Sequence, residues 1–556
     1  MSYKDGWTLL STRVKNSLAR RGALVLAGGL WLVWGLTTSQ ANPATTQPDP
    51  KVYQRPLTRQ QETPLDTIVF NKLEQLRLPT PALCSDAVFL RRVYLDVIGT
   101  LPTAPEAREF LESKNPKKRS LLIEQLLARE EFADYWAMKW GDLLRVKAEF
   151  PINLWPNAVQ AYAHSIHTAI KENKPYDRWA RELLTANGSN FRVPEVNFYR
   201  AVPSKEPAAL AQAVALTFMG ARAEAWPPAQ WSNMALFFSQ MSYKATKEWK
   251  EEIVYWNPEK NTTTAPATAP AVPAAAVVWK FPDGTPAPQI GQRDPREVFA
   301  DWLITEQNPW FTRNIANRAW FWLLGRGIIH EPDDIRPDNP PSNPELLAYL
   351  QRELVAAKYD LKALFRVILN SNTYQLSSVT TAPNPRAEAN FAAYPLRRLE
   401  AEVLIDALGQ VTGTSDKYSS PIPEPFTFIP EGARAITLAD GSITSPFLEL
   451  FGRSSRDTGR LLERNNRISS AQQLHLLNSS HVQRKLESGK NLQDLLQARR
   501  SHQETLNELY LTILSRYPTA DEQRIAEAYL AKTTKRDASM DITWSLINSA
   551  EFLYRH

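Results

Sequence analysis

The chain holds one cysteine, Cys84, so neither an intramolecular disulfide nor a cluster of thiolate metal ligands can form within it. It also lacks HExxH, GxSxG, GxGxxG and the Walker A pattern, which leaves a Ser or Cys hydrolase, a zincin and a nucleotide enzyme without positive support. Charge of one sign is not in large excess. A net charge of +6 over 556 residues, with the basic residues dispersed, argues against a nucleic acid partner. The main apolar run, Gly22 to Leu36, is shorter than the roughly 20 residues a spanning helix needs.

What is present suits a folded protein. A hydrophobic content of 43% with 17 Trp is enough to fill the cores of two or three domains. At the N-terminus, Lys15, Arg20 and Arg21 precede the apolar run, and Ser39-Gln40-Ala41 offers small residues for cleavage after Ala41. Residues 1–41 therefore read as a signal peptide or, with Trp31 and Trp34 as interfacial anchors, as a retained N-terminal helix, the chain's one membrane contact. Either way the expected location is exported, periplasmic or cell-envelope. Residues 42–64 read as a linker. Residues 257–293, centred on the Ala/Pro/Thr stretch Pro258 to Val278, read as a second.

Between these linkers the patterns are helical at Leu121 to Trp140, Pro156 to Lys171 and Pro207 to Met219, so the expected class is mainly α, two helical lobes with long irregular loops and little β. The second lobe is organised around Phe311 to Ser378. Thr312 is placed to cap a helix that Gly325 and Gly327 end, Ser342 or Asn343 to cap a second with Pro344 at its first position, and Asp360 to cap a third. An internal echo links the two ends of the chain. Tyr94-Leu95, Pro102-Thr103-Ala104-x-Glu106-x-Arg108 and Glu131-Phe132 return as Tyr510-Leu511, Pro518-Thr519-Ala520-x-Glu522-x-Arg524 and Glu551-Phe552. Each copy encodes a capping box and reads as one duplicated helical unit.

The runs NRAWFWLLGRGII, DDIRPDNPPSNPELL and ILNSNTYQLSS resemble the planctomycete-specific domain of unknown function 1553, over residues 294–556. FLRRVYLDVIGTLPTAPEAREFL is similar to its companion, the cytochrome-like domain of unknown function 1549, over residues 65–256. The second resemblance implies a Cys-x-x-Cys-His haem segment after a helix ending in Phe-x-Gly-x-Arg. This chain has Phe218-Met219-Gly220-Ala221-Arg222 followed by Ala223 to Pro228, with no cysteine or histidine. The Cys-x-Cys implied ahead of a Glu-Arg pair is replaced by Arg460 and Leu462 before Glu463-Arg464. No covalent haem is expected, and electron transfer loses its basis.

Two polar constellations remain. The Pro-stiffened loop carries His330, Glu331, Asp333, Asp334, Arg336 and Asp338; its carboxylates can hold a hard cation such as Ca²⁺ (Glu331, Asp333, Asp334, Asp338) or supply an acid and base (Asp333, Asp334, Asp338, His330). The segment 451–467 carries Arg453, Arg456, Arg460, Arg464 and Arg467, and with Arg336 it can clamp an anionic group in bidentate fashion. In the opposing, structural reading the arginines pair with the acidic loop and with Glu400 and Glu402, and the aspartates cap helices. His164 and His167 lie three apart on a helix but opposite its apolar stripe, where solvation is expected. The resulting expectation is an exported binding or scaffold protein for an anionic glycan or an envelope protein partner. The alternative is a hydrolase or metal-assisted enzyme using the loop 330–338 and the cluster 453–467.

Overall fold

In the computed structural model, which describes residues 50–57, 62–79, 82–260, 279–380 and 384–556, short-range capping decides where most helices start. The helices that position the sites below are α1 (Asp86–Val97), α2 (Ala104–Glu112), α3 (Glu130–Leu143), α4 (Pro156–Lys171), α5 (Phe311–Leu324), α6 (Pro344–Ala356), α7 (Leu361–Leu369), α8 (Ala401–Thr412), α9 (His502–Leu514), α10 (Ala520–Leu530) and α11 (Ala550–Leu553). Asn343 caps α6, Asp360 caps α7, and Gly325 closes α5 at φ 72°, a left-handed conformation glycine adopts without steric cost. Thr312 does not cap α5. The helix begins one residue earlier, and Asn308 serves its free donors instead, accepting from the N–H groups of Trp310 at 3.0 Å and Phe311 at 3.2 Å.

Two of the expected helices are interrupted. The pattern Leu121 to Trp140 breaks at Arg129, whose extended backbone separates the helix Lys118–Ala128 from α3. Pro207–Val214 continues as a π-helical turn, Ala215–Met219, that ends on Gly220 at φ 60°. β-structure is sparse: a three-stranded antiparallel sheet ordered β3 (Gly188–Ser189), β5 (Glu252–Trp256), β4 (Met241–Ala245), and the two-residue pairs β1 (Gln54–Arg55) with β2 (Leu83–Cys84) and β6 (Arg397–Arg398) with β7 (Tyr554–Arg555). The fold is mainly α.

Lys51–His556 forms one contact unit, and its core is shared by both halves of the sequence. Trp322 of α5 meets Trp136 and Trp140 of α3 edge-on at 5.3 and 5.5 Å, and Trp136 lies 4.5 Å from Phe365 of α7. Parts of both expected linkers fold: β1 pairs with β2, and Phe281 stacks between Phe237 and Trp302 at 5.3 and 4.9 Å. Apolar side chains within otherwise polar stretches contribute to this, because burying an aromatic ring offsets part of the entropy lost on ordering its neighbours. The signal or anchor segment and the centre of the Ala/Pro/Thr stretch lie outside the described residues, among which no helix is long and apolar enough to cross a membrane.

The echo is structural as well as textual. Both copies form a capping box, Thr103 with Glu106 and Thr519 with Glu522. In each, the two echoed glutamates converge on one arginine beneath the echoed tyrosine: Arg129 pairs with Glu106 and Glu131 and lies 5.7 Å from the Tyr94 ring, while Arg516 pairs with Glu522 and Glu551 and lies 5.3 Å from Tyr510. The arginines come from different positions in the repeat, so the clamp recurs although its central residue does not align. The units pack on each other through Arg108 with Glu508, and through Arg91, which donates to the carbonyls of Ile513 at 2.7 Å and Phe552 at 2.9 Å.

Candidate functional site

The acidic loop divides into a buried and an exposed part. Asp333 is buried; one oxygen accepts from Arg318 of α5 at 2.9 Å and the other from the backbone N–H of Leu461 at 2.8 Å, so the loop meets the arginine segment through its main chain. Glu331 accepts from Arg222 at 2.9 Å. Asp334 and Asp338 share Arg336 at the surface, at 3.2 and 3.1 Å, and His330 is exposed. Among the described residues, no three His, Cys, Asp or Glu side chains come together as a cation site would require.

The arginine segment turns inward. Arg464 donates to both oxygens of Glu402 at 2.6 and 2.9 Å and to Asp142 of α3 at 2.5 Å; Arg453 also reaches Glu402 at 3.3 Å, and Arg456 reaches Asp142 at 3.0 Å. The network continues through Glu400, which pairs with Lys139 and with Arg555 at 2.6 Å, and through Asp96, which pairs with Arg555 at 3.1 Å and Arg397 at 2.9 Å. Backbone carbonyls meet the excess of cations: Arg397 donates to those of Trp322 and Leu323 at 3.0 and 2.7 Å, and Arg453 to that of Asp440 at 3.2 Å. Burial alone would raise Glu402, but Arg464 and Arg453 hold its carboxyl down at about 2. Against its own burial, Glu400 is likewise held well below the carboxylate range by Arg555 and Lys139. Burial and Arg456 bring Arg453 down to about 10. The pairing of the segment's arginines with Glu402 is thus as the structural reading expected, but Glu400 pairs instead with Lys139 and Arg555, and Asp142, Asp96 and Arg397 join from elements no local pattern connects. Arg453, Arg456 and Arg464 are committed to the core.

Two open concave surfaces lie elsewhere: a more polar cavity of about 420 Å³ beside Tyr94, Glu106, Lys118 and Arg129, and a largely apolar one between α4 and the irregular segment 427–443. Within the latter, one cavity of about 270 Å³ is floored by Met138 and Gly141 of α3 and walled by Ile166 and Ile436; a second of about 150 Å³ is lined by Pro156, Thr427, Phe428 and Ile443. Gln160, Thr437, Leu438 and Ala439 line both, which makes them one groove. Its polar groups are few. His167 lies 3.1 Å from Asp134 and is half-buried, whereas His164 is exposed, so only the second matches the expected solvation. Arg456 touches the groove from below, tying it to the charge network. Asp440 accepts from the N–H groups of Ala148 and Ser442 at 2.9 and 2.8 Å. Thr427 is only 6% exposed, and among the described residues its hydroxyl has no hydrogen-bond partner.

The smaller cavity opens beside three rings. Trp155, which precedes α4, Trp249 on the β4–β5 turn and Phe426 have centroids 4.8, 5.6 and 5.2 Å apart, and Trp249 and Phe426 are 53% and 41% exposed. Trp249 and Phe426 thus form an exposed aromatic pair, with the half-buried Trp155 behind it. The sequence carried little sign of it: these residues are far apart in the chain and none lies at helical spacing. The one local cue is the Phe426-Thr427-Phe428 run between prolines, apolar residues in a stretch that cannot bury them in a helix.

Family models match two stretches. Residues 64–225 match the family described as "Protein of unknown function (DUF1549)", and residues 295–530 match "Protein of unknown function (DUF1553)". No curated protein and no solved structure matches. The groove draws α3 and α4 from the first matched stretch and the 427–443 segment from the second, and the charge network joins them beneath it. The chain combines a DUF1549 domain with a DUF1553 domain, in a form without haem-type cysteines.

Proposed function

We propose that the chain is a binding protein of the cell envelope, exported by its N-terminal segment, and that its ligand occupies the groove between α4 and the 427–443 segment. The observation that carries this reading is the contrast between the two polar regions. Asp333, Arg453, Arg456 and Arg464 are paired in the core, and Asp334 and Asp338 share Arg336 at the surface, while the groove is open, largely apolar and furnished with a few polar groups, the usual make-up of a ligand site. The enzyme alternative at the acidic loop is less well supported, because both oxygens of Asp333 are already engaged.

The test is a fragment screen on the full chain read by saturation-transfer NMR, repeated on Ala439→Trp and Ala163→Phe. Ala439 is exposed on the wall common to both cavities and Ala163 lines the larger one, so the added rings fill the groove; Ala439 meets the core network only through its carbonyl, which accepts from Arg456 and is kept in the variant. Fragments that bind the wild type and are lost from the filled variants support the reading. Hits unaffected by both substitutions, or no hits, contradict it.

A further inference from the structure

Trp155 is held at φ 72° and ψ 150°, a backbone region populated almost only by glycine, and Lys250 opposite it is held at φ 61°. Pro156 starts α4 immediately afterwards, so the strained residue is the one that turns its ring out of the helix start towards Trp249 and Phe426. Strain of this kind persists where the surrounding structure imposes it, and it recurs at ligand sites. Here two further observations point to a ligand. The indole N–H of Trp155 and the hydroxyl of Thr427 are both buried, and among the described residues neither has a hydrogen-bond partner. Both belong to the same corner: Thr427 lines the smaller cavity between Phe426 and Phe428, and Trp155 adjoins Pro156, which lines it too.

Charge narrows the ligand. The groove's own charges are matched internally: Asp134 lies against His167, Arg456 against Asp142, and Asp440 against two backbone N–H groups. Among the described residues that line the groove, Arg456 is already paired with Asp142, so an anion there would face Asp134 and Asp440; the exposed Lys250 at the aromatic end lies over the rings rather than in the groove wall. A cation would compete with the Lys250 ammonium, which already lies 4.9 Å from the Trp155 ring and 5.8 Å from Trp249. What suits the corner is an uncharged molecule with one flat C–H face for the exposed rings and hydroxyl groups on its rim for the two buried polar atoms.

Resting on the reading that the groove is the ligand site, we propose that its aromatic end is a subsite for a neutral pyranose ring of a glycan chain. One ring stacks its C–H face on Trp249 with its edge against Phe426, whose plane is tilted 52° to that of Trp249, one of its hydroxyls donates to Thr427 Oγ1 while another accepts from Trp155 Nε1, and the chain runs on along Gln160 and Thr437 towards His164. This departs from an anionic glycan as ligand, because the arginines suited to one are buried in pairs.

The test is saturation-transfer NMR and tryptophan emission on the full chain with cellopentaose, maltopentaose and chitopentaose as neutral probes and a galacturonate oligomer as the anionic one. At least one neutral probe is expected to bind, with transfer strongest to the protons of one ring face. Trp249→Ala, a surface change, is expected to abolish that transfer, and Thr427→Val, which keeps the side-chain shape, to weaken binding about tenfold. Thermal melts of both variants show whether they remain folded. If fragments bind in the groove but no neutral probe binds, the sugar assignment is overturned and the groove reading stands; if both fail, the groove reading falls as well. Binding of the galacturonate oligomer alone, or neutral binding unmoved by Trp249→Ala, also overturns it.

Discussion

Arg464 holds Glu402 by two hydrogen bonds, 2.6 and 2.9 Å, in a place where both side chains are shielded from water. The pair joins the loop 451–467 to α8, and through Asp142 it joins both to α3. Two charges so deep are tolerated only because each is matched, so removing one leaves the other exposed to the full cost of burial. Glu402→Gln is therefore expected to destabilise the chain by about 3–5 kcal/mol in urea denaturation, since Arg453 and Arg464 lose their shared counter-charge. Asp338→Asn, at a side chain 72% exposed, is expected to stay within about 0.5 kcal/mol. Equal effects of the two would contradict a structural role for the network.

The same region makes stability depend on pH in two directions. Burial pushes Asp406 up to about 6 from an ordinary 3.8, although Arg434 and the N–H groups of Ala435 and Ile436 pull the other way. The folded chain thus holds this proton more tightly than the unfolded one, and the associated stability is lost as pH rises through about 6. Glu402 behaves oppositely: held at about 2, it stabilises fully above its ordinary 4.5 and loses that contribution as pH falls through about 2. Between pH 4 and 7 the stability of Asp406→Asn relative to wild type is expected to rise, by about 3 kcal/mol at most. A difference that stays flat over that range, measured by urea midpoint, argues against the raised carboxyl.

The two arginine clamps of the repeated unit differ in depth, and their substitutions should differ accordingly. The Arg516 side chain is 6% exposed between Glu522 and Glu551, whereas Arg129 is 31% exposed between Glu106 and Glu131. Arg516→Met is expected to cost about 3–5 kcal/mol and Arg129→Met about 1 kcal/mol, read from denaturation midpoints. The reverse order would mean that the clamps are not equivalent in kind.

Calcium provides a separate check on the acidic loop. Asp333→Asn is expected to lower the melting temperature by the same amount with and without calcium, because what it loses is the partner of the buried Arg318. Asp334→Asn/Asp338→Asn is expected to melt close to wild type in both conditions. A calcium-dependent rise in wild type that this double variant lacks would restore the loop as a cation site.

Local features were readable in the sequence and long-range ones were not. The caps at Thr103, Asn343, Asp360 and Thr519 follow from side chains within three residues of the donors they serve, so spacing alone reveals them. Thr312 misled because the helix starts ahead of it: Asn308, outside the helical pattern, takes the N–H groups of Trp310 and Phe311, and the Asn314 N–H that Thr312 could have served already bonds the Trp310 carbonyl. Among the arginines, pairing with Glu402 was anticipated from charge, but Asp142, 322 residues from Arg464, is a neighbour only in three dimensions. The groove was harder still. Trp155, Trp249 and Phe426 belong to a helix start, a hairpin turn and an irregular loop, and only the fold brings their rings within 6 Å of each other.

The measurement that bears most directly on the central claim is saturation transfer to the groove fragments in three proteins side by side: wild type, Ala439→Trp and Asp334→Asn/Asp338→Asn. The groove account predicts transfer in the wild type, its loss when residue 439 carries an indole, and no change when the exposed acids of the loop are neutralised. Transfer that survives in Ala439→Trp and disappears from the loop variant would place the ligand at the acidic loop and contradict the account.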